Sequence, residues 1–218
     1  MNRKLLAEFI GTAGLLIIVV GSGIMGETLA QGNAAIALLA NSIATGAGLY
    51  ALIQTFGPVS GAHFNPAVSF AEWLWKRLSA KEFVGYSITQ IAGALTGVWF
   101  THFIFGQAIL QLSTHDRSEF RFVISEVIAT FGLLMVIALS GKRFVEATPA
   151  AVAFYITSAY WCTSSTSFAN PAVTIARSFT NTFSGIQLNG ASGFIAAQIL
   201  GATLAAYSSQ YFNPTKDS

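Results

Sequence analysis

Two asparagines carry the chemistry this sequence offers most plainly. Asn65-Pro66-Ala67 and Asn170-Pro171-Ala172 each follow a loop and precede a short apolar stretch. Asparagine is a favoured helix N-cap and proline a favoured first-turn residue, so each tripeptide predicts a helix start. A helix start presents about half a positive charge on its unpaired N–H groups. Two such ends facing a narrow file of water repel cations and protons, while the Asn amides donate hydrogen bonds to a neutral solute and orient it. The chemistry implied is passage rather than transformation. No nucleophile paired with a base, phosphate-cradling loop or metal-ligand cluster accompanies these residues, so neither an enzyme nor a cofactor or metal site is expected.

Glu8 and Glu126 are the other residues with a task to explain, because each is a charge inside an otherwise apolar stretch. Ionisable groups at membrane depth are costly and usually face an interior and hold a partner. A proton relay and a structural brace are both open to them.

The elements that must position these residues are membrane helices. Of 218 residues 53% are apolar and 9% charged, against about 25% charged in a soluble domain. The runs 28–71, 83–115, 147–176 and 178–215 contain no Asp, Glu, Lys or Arg, and a crossing helix needs about 20 residues. Six spans are expected: Lys4 to Met25, Asn33 to Phe56, Phe83 to Gly106, Glu119 to Ser140, Glu146 to Cys162 and Gly190 to Tyr211. Ala67 to Lys76 and Ala172 to Arg177 are too short to cross, so each must enter and stop. Arg3, Lys4, Lys76, Arg77, Lys81, Lys142, Arg143 and Lys216 fall on one side of an even six-span topology, which predicts both termini in the cytoplasm. A net charge of +2 without a basic, aromatic-interleaved cluster gives no reason to expect nucleic acid as a partner.

The chain also repeats itself. Ala7-Glu8-Phe9-Ile10-Gly11-Thr12 echoes Ser125-Glu126-Val127-Ile128-Ala129-Thr130, and Gln90-Ile91-Ala92-Gly93-Ala94 echoes Gln198-Ile199-Leu200-Gly201-Ala202, with the two Asn-Pro-Ala-Val stretches between them in the same order. Three spans per half force the second half to enter from the opposite face. The expected fold is therefore all-α, with six transmembrane helices and two re-entrant half-helices, an inverted repeat of two three-helix halves within one domain. The repeats cover residues 1–110 and 119–213, approximately. Gly93 and Gly97, four apart in the third span, permit close helix contact.

With Ser60-Gly61-Ala62-His63-Phe64-Asn65-Pro66-Ala67-Val68, the second Asn-Pro-Ala and the two Glu-bearing first helices, the chain resembles the aquaporin and aquaglyceroporin family over nearly its whole length. The resemblance implies that the carbonyls of Gly61, Ala62, His63, Thr166, Ser167 and Phe168 form a ladder along the pore, and that Glu8 and Glu126 brace the re-entrant loops. It also implies a homotetramer in the cell's inner membrane with one pore per subunit. His63 reads as a loop-bracing histidine. Family members generally place Arg directly after the second Asn-Pro-Ala, where this chain has Val173. Counting from the motif asparagines, the other filter positions map to Thr45, Ser158 and Ser167. Four small side chains make a wide, hydroxyl-rich opening, so strict water selectivity is not expected. Val in that position resembles a bacterial subgroup of aquaglyceroporins found in arsenic-resistance operons, which implies passage of arsenous acid and of methylated arsenicals beside glycerol-like polyols and water. Arg177, one turn on, is open to several readings: a displaced positive charge in the vestibule, a side chain that snorkels to the interface, a brace for the loop from Asn181 to Asn189, or, if the helix is shifted, the filter residue itself. The competing readings are a water-selective pore, an inverted-repeat transporter, for which Glu8 and Glu126 are the available coupling groups, and a membrane scaffold whose loops close the pore.

Overall fold

The computed structural model describes residues 2–143 and 145–212, and these are helical without strands. Lys216, counted above among the orienting basic residues, and Asn213, the end of the second repeat, lie outside the described residues. Six longer helices and two short ones follow in chain order: α1 (Arg3–Leu29), α2 (Ala34–Ser60), α3 (Pro66–Leu74), α4 (Ala80–Ile104), α5 (Phe120–Arg143), α6 (Thr148–Cys162), α7 (Pro171–Arg177) and α8 (Leu188–Phe212).

The starts are set by local chemistry. The side chain of Asn33 accepts from the N–H groups of Ala35 and Ile36, and Ser79 with Glu82 forms a reciprocal capping box at α4. Helix α2 ends at Gly61, whose φ of 90° lies in the left-handed region where glycine carries no steric penalty. Helix α6 is shorter than the expected span from Glu146. Val145–Ala147 forms a 3₁₀ turn, Ala147 offers no side-chain cap and Pro149 has no N–H to give, so the regular helix starts at Thr148 and runs 15 residues. The half-helix after the first motif stops at Leu74 rather than Lys76, because Trp75 caps it and Lys76 turns to φ 59°.

Packing repeats as the sequence does. Helix α1 packs on α2 and α4 as α5 packs on α6 and α8, and α3 lies against α8 as α7 lies against α4. Each half-helix is thus clasped by the last helix of the opposite half. Glycines make the close seams: a methyl group on Gly97 would stand 2.4 Å from the carbonyl oxygen of Ala13, one on Gly93 would stand 2.5 Å from that of Phe9, and one on Gly201 would stand 2.6 Å from that of Val127. Small residues let helix backbones approach this closely. The outward faces of α2, α4 and α8 expose Ile36, Leu39, Ile43, Ile88, Phe100, Leu200 and Leu204, the apolar surface that a lipid bilayer solvates.

Candidate functional site: a lined conduit between two capped half-helices

The two loops before the Asn-Pro-Ala motifs are held by one carboxylate each. Glu8 Oε1 accepts from the hydroxyl of Ser60 at 2.6 Å and the N–H of His63 at 3.0 Å, and Oε2 accepts from the N–H of Phe64 at 2.7 Å and the amide of Gln90 at 2.8 Å. Glu126 repeats the set with Ser165 (2.6 Å), Phe168 (2.9 Å), Ala169 (2.8 Å) and Gln198 (2.7 Å). Both carboxylates are fully buried, so the four donors replace the water each has lost.

That grip holds an unusual backbone. Gly61, Ala62 and Phe64 in the first loop, and Thr166, Ser167 and Ala169 in the second, all have φ between 49° and 90°. Non-glycine residues persist there only when their surroundings fix them. Gly61, Ala62, His63, Ser167 and Phe168 line a cavity of about 260 Å³, whereas Thr166, expected in the same ladder, is half-buried outside that lining. His63 Nδ1 sits 3.0 Å from Ser69 Oγ, and its ring lies 5.1 Å from that of Tyr86, which places it as part of the loop's support.

The motif asparagines both line the cavity. Each caps its own half-helix, Asn65 Oδ1 accepting from Ala67 and Asn170 Oδ1 from Ala172 and Val173. Each also reaches across: Asn65 Nδ2 donates to the carbonyl of Ala169 at 2.7 Å and Asn170 Nδ2 to that of Phe64 at 2.8 Å. Pro66, Ala67, Pro171 and Ala172 are buried in the first turns behind them. This cross-brace is absent from the sequence reading. One donor hydrogen of each amide is committed to it, which leaves one for the lumen.

Four long helices present the opposite wall, each through a row of residues four apart: Leu15 and Val19, Thr45 with Leu49 and Ile53, Leu133 and Ile137, and Val152 with Ile156 and Tyr160. Residues at that spacing share a helix face. Thr45, Ser167 and Val173 are in the lining, as expected of filter residues, but Ser158 is not. Ser158 is exposed, and its hydroxyl donates to the carbonyl of Tyr155 at 2.7 Å. At about 100° per residue, positions 158 and 160 point to nearly opposite sides of α6. Tyr160 is therefore the inward residue, and its phenol oxygen lies 3.3 Å from Thr45 Oγ1. Thr45, Tyr160, Ser167 and Val173 thus share the cavity lining, three small side chains and one aromatic. The four-residue row from Val152 was the sequence signal for Tyr160. Ser167 Oγ finds no hydrogen-bond partner in the protein.

Two charged residues reach the same cavity, Glu72 and Arg177, each seven positions after its motif asparagine. Glu72 pairs with Arg77 at 3.2 Å near an exposed edge. Arg177 is 2% exposed, donates through Nε to the carbonyl of Ser184 and lays its guanidinium 3.4 Å above the ring of Phe168. No group of three His, Cys, Asp or Glu with metal-holding geometry occurs among the described residues.

Known proteins resemble this one in sequence and in shape. Residues 1–143 match the family model described as Major intrinsic protein. Aquaglyceroporin AqpS of Rhizobium meliloti (strain 1021) is 50% identical over 206 residues, 94% of this chain and 88% of that protein. Aquaporin AqpM of Methanothermobacter marburgensis is 30% identical over 97% of both chains. The X-ray structure of the aquaglyceroporin from Plasmodium falciparum matches with a TM-score of 0.79 over 97% of each chain at 18% identity, a likeness that speaks for the fold of six helices and two re-entrant segments.

Proposed function

This chain belongs to the major intrinsic protein family, and from that premise we propose that its Arg-less constriction admits glycerol-sized polyols and neutral arsenous acid together with water. The protein is a multi-pass membrane channel for small neutral solutes and not an enzyme. The observation that carries the finer reading is the lining around Val173. Thr45 and Tyr160 bring hydroxyls to the wall, Ser167 lines it beside them, Val173 offers a methyl face, and the residue directly after the second Asn-Pro-Ala is Val rather than Arg. A polyol has the same two characters, hydroxyls along one edge and C–H groups along the other, so a half-polar, half-apolar lumen replaces its hydration better than an all-polar one. Arsenous acid is uncharged near neutral pH and carries three hydroxyls, which suits it to the same ring.

The remaining parts follow as roles in that conduit. Asn65 and Asn170 orient the solute at the midplane, the loop carbonyls from Gly61 to His63 and from Ser167 to Phe168 accept its hydrogens, and Glu8 and Glu126 hold the loops. The whole chain forms one domain of two repeats, with both termini in the cytoplasm of the cell's inner membrane and one pore in each subunit of a homotetramer. Stopped-flow swelling of proteoliposomes in glycerol and urea, with arsenous acid uptake measured in parallel, tests the reading. Wild-type protein is expected to pass all three solutes. Val173→Arg is expected to cut glycerol and arsenous acid flux more than water flux. A folded Val173→Arg protein that conducts the larger solutes as before would remove Val173 from the constriction. Saturable or sodium-dependent uptake would instead favour a transporter.

A further inference from the structure

We propose that Arg177, one helical turn beyond Val173, supplies the positive charge that bars cations from this pore while leaving the narrowest ring to uncharged side chains. The proposal rests on the channel reading above. Its basis is the state of two arginines that flank one ring. Arg117 lies 5.4 Å from the centroid of Phe168, donates through Nε to the carbonyl of Gly185 at 3.0 Å and through Nη1 to that of Ser165 at 3.2 Å, and stays out of the cavity lining. Two of its three nitrogens are thus committed to carbonyls, one of them in the second loop.

Arg177 is placed differently. Its guanidinium lies closer to Phe168, 3.4 Å from the ring centroid, its Nε alone is committed, to Ser184, and the side chain joins the cavity wall. Its two terminal nitrogens have no acceptor and no carboxylate partner among the described residues. They are also absent from the buried polar atoms that lack a partner, so they open on the lumen. A buried guanidinium without an acid is costly, and an ionisable group kept at membrane depth usually marks the permeation path. The site holds it with what it has: the last turn of α7, where the carbonyl end favours a cation, and the face of Phe168. The equivalent position of the first half carries Glu72, already paired with Arg77, so the uncompensated charge stands at one end of the conduit.

The test compares potassium flux per reconstituted protein in proteoliposomes, with water swelling used to show that the pores are open. Arg177→Gln keeps a donor for the Ser184 carbonyl and removes the charge; its potassium flux is expected to rise by about tenfold or more. Arg177→Lys is expected to exclude potassium as the wild type does. The double variant Val173→Arg with Arg177→Gln is expected to exclude potassium again while passing less glycerol. An Arg177→Gln protein that swells in glycerol yet excludes potassium like the wild type overturns the proposal, as does an Arg177→Lys protein that leaks. If Arg177→Gln does not insert, Arg177→His takes its place: potassium must be excluded at about pH 5.5 and leak at about pH 8. Wild type run over the same interval controls for Arg117, Glu126 and Tyr160, the ionisable neighbours, and a leak indifferent to pH overturns the proposal. Wild-type vesicles that fail to swell in glycerol would sink the channel reading instead, a different result from either leak.

Discussion

The first half of the molecule and the second use the same backbone and dress it differently. Glu8 and Glu126 each receive a serine hydroxyl, two consecutive N–H groups and a glutamine amide, with no bond differing by more than 0.1 Å between the halves. Around that shared grip the side chains diverge. His63 meets Tyr86 at 5.1 Å in the first half, and Phe168 meets Phe194 at the same 5.1 Å in the second. Phe64 fills the space above Gly11, whereas the matching positions in the second half are Ala169 and Ala129. Satisfying buried N–H groups admits few solutions, so the duplicated halves keep one; filling volume and facing a solute admit many.

The strongest break of this equivalence is to remove either carboxylate. Glu8→Ala and Glu126→Ala each strand loop N–H groups, a hydroxyl and a glutamine amide at about 1–3 kcal/mol apiece, so both proteins are expected to lose folded yield in detergent to a similar degree. Glu→Gln at either site keeps one accepting oxygen and should lose less. Unequal losses in the two Ala variants, followed by thermal unfolding, would show that the halves are not energetically equivalent.

The divergent packing is tested next. Phe64→Ala should cost about 3–5 kcal/mol and Gly11→Ala about 1–3 kcal/mol by forcing a methyl into the ring. The double variant recreates the alanine pair of the second half. It is expected to be more stable than the sum of the single losses by about 1 kcal/mol or more, and strict additivity would show that the two positions do not compensate.

A smaller and symmetric effect is expected at the helix seams, where Gly93→Ala and Gly201→Ala should each destabilise by about 1–3 kcal/mol, because a methyl group meets a backbone carbonyl in both places. The least effect concerns α6. Ser158→Ala should leave glycerol permeability unchanged, since its hydroxyl serves only the helix carbonyl of Tyr155. Tyr160→Phe removes the contact with Thr45 and should shift glycerol flux by about twofold, the scale of one modest hydrogen bond. A larger change from Ser158→Ala than from Tyr160→Phe would reverse the assignment of the inward face.

Much of this was legible in the residues. Long uncharged runs mark helices that a bilayer can accept, Asn-Pro before segments too short to cross marks capped half-helices, and two carboxylates in apolar stretches demand partners that a non-helical loop can supply. Each of these follows from local chemistry or from length, and the duplication doubles every signal. The bracing role of Glu8 and Glu126 was open in the residues alone, since a charge needs a partner but does not name it. The bonds to Ser60, His63, Phe64 and their counterparts supply the name.

The sequence by itself therefore determined the order of the helices, the two capped starts and the residues that must be satisfied at membrane depth. Tertiary structure alone decided which face of each helix meets the lumen. Counting from Asn170 points to Ser158 and misses Tyr160, because the loop between Cys162 and Asn170 sets a distance along the chain and not the rotation of α6 about its axis. That rotation is fixed by packing on α2 and α5, which turns Tyr160 inward and Ser158 out. The same holds for Asn65 and Asn170, whose amides find carbonyls more than 100 residues away, and for Arg177, whose burial depends on Phe168 and on the loop that carries Ser184. Contacts between distant segments are set by how the helices dock, and docking is a property of the assembled chain rather than of any stretch within it.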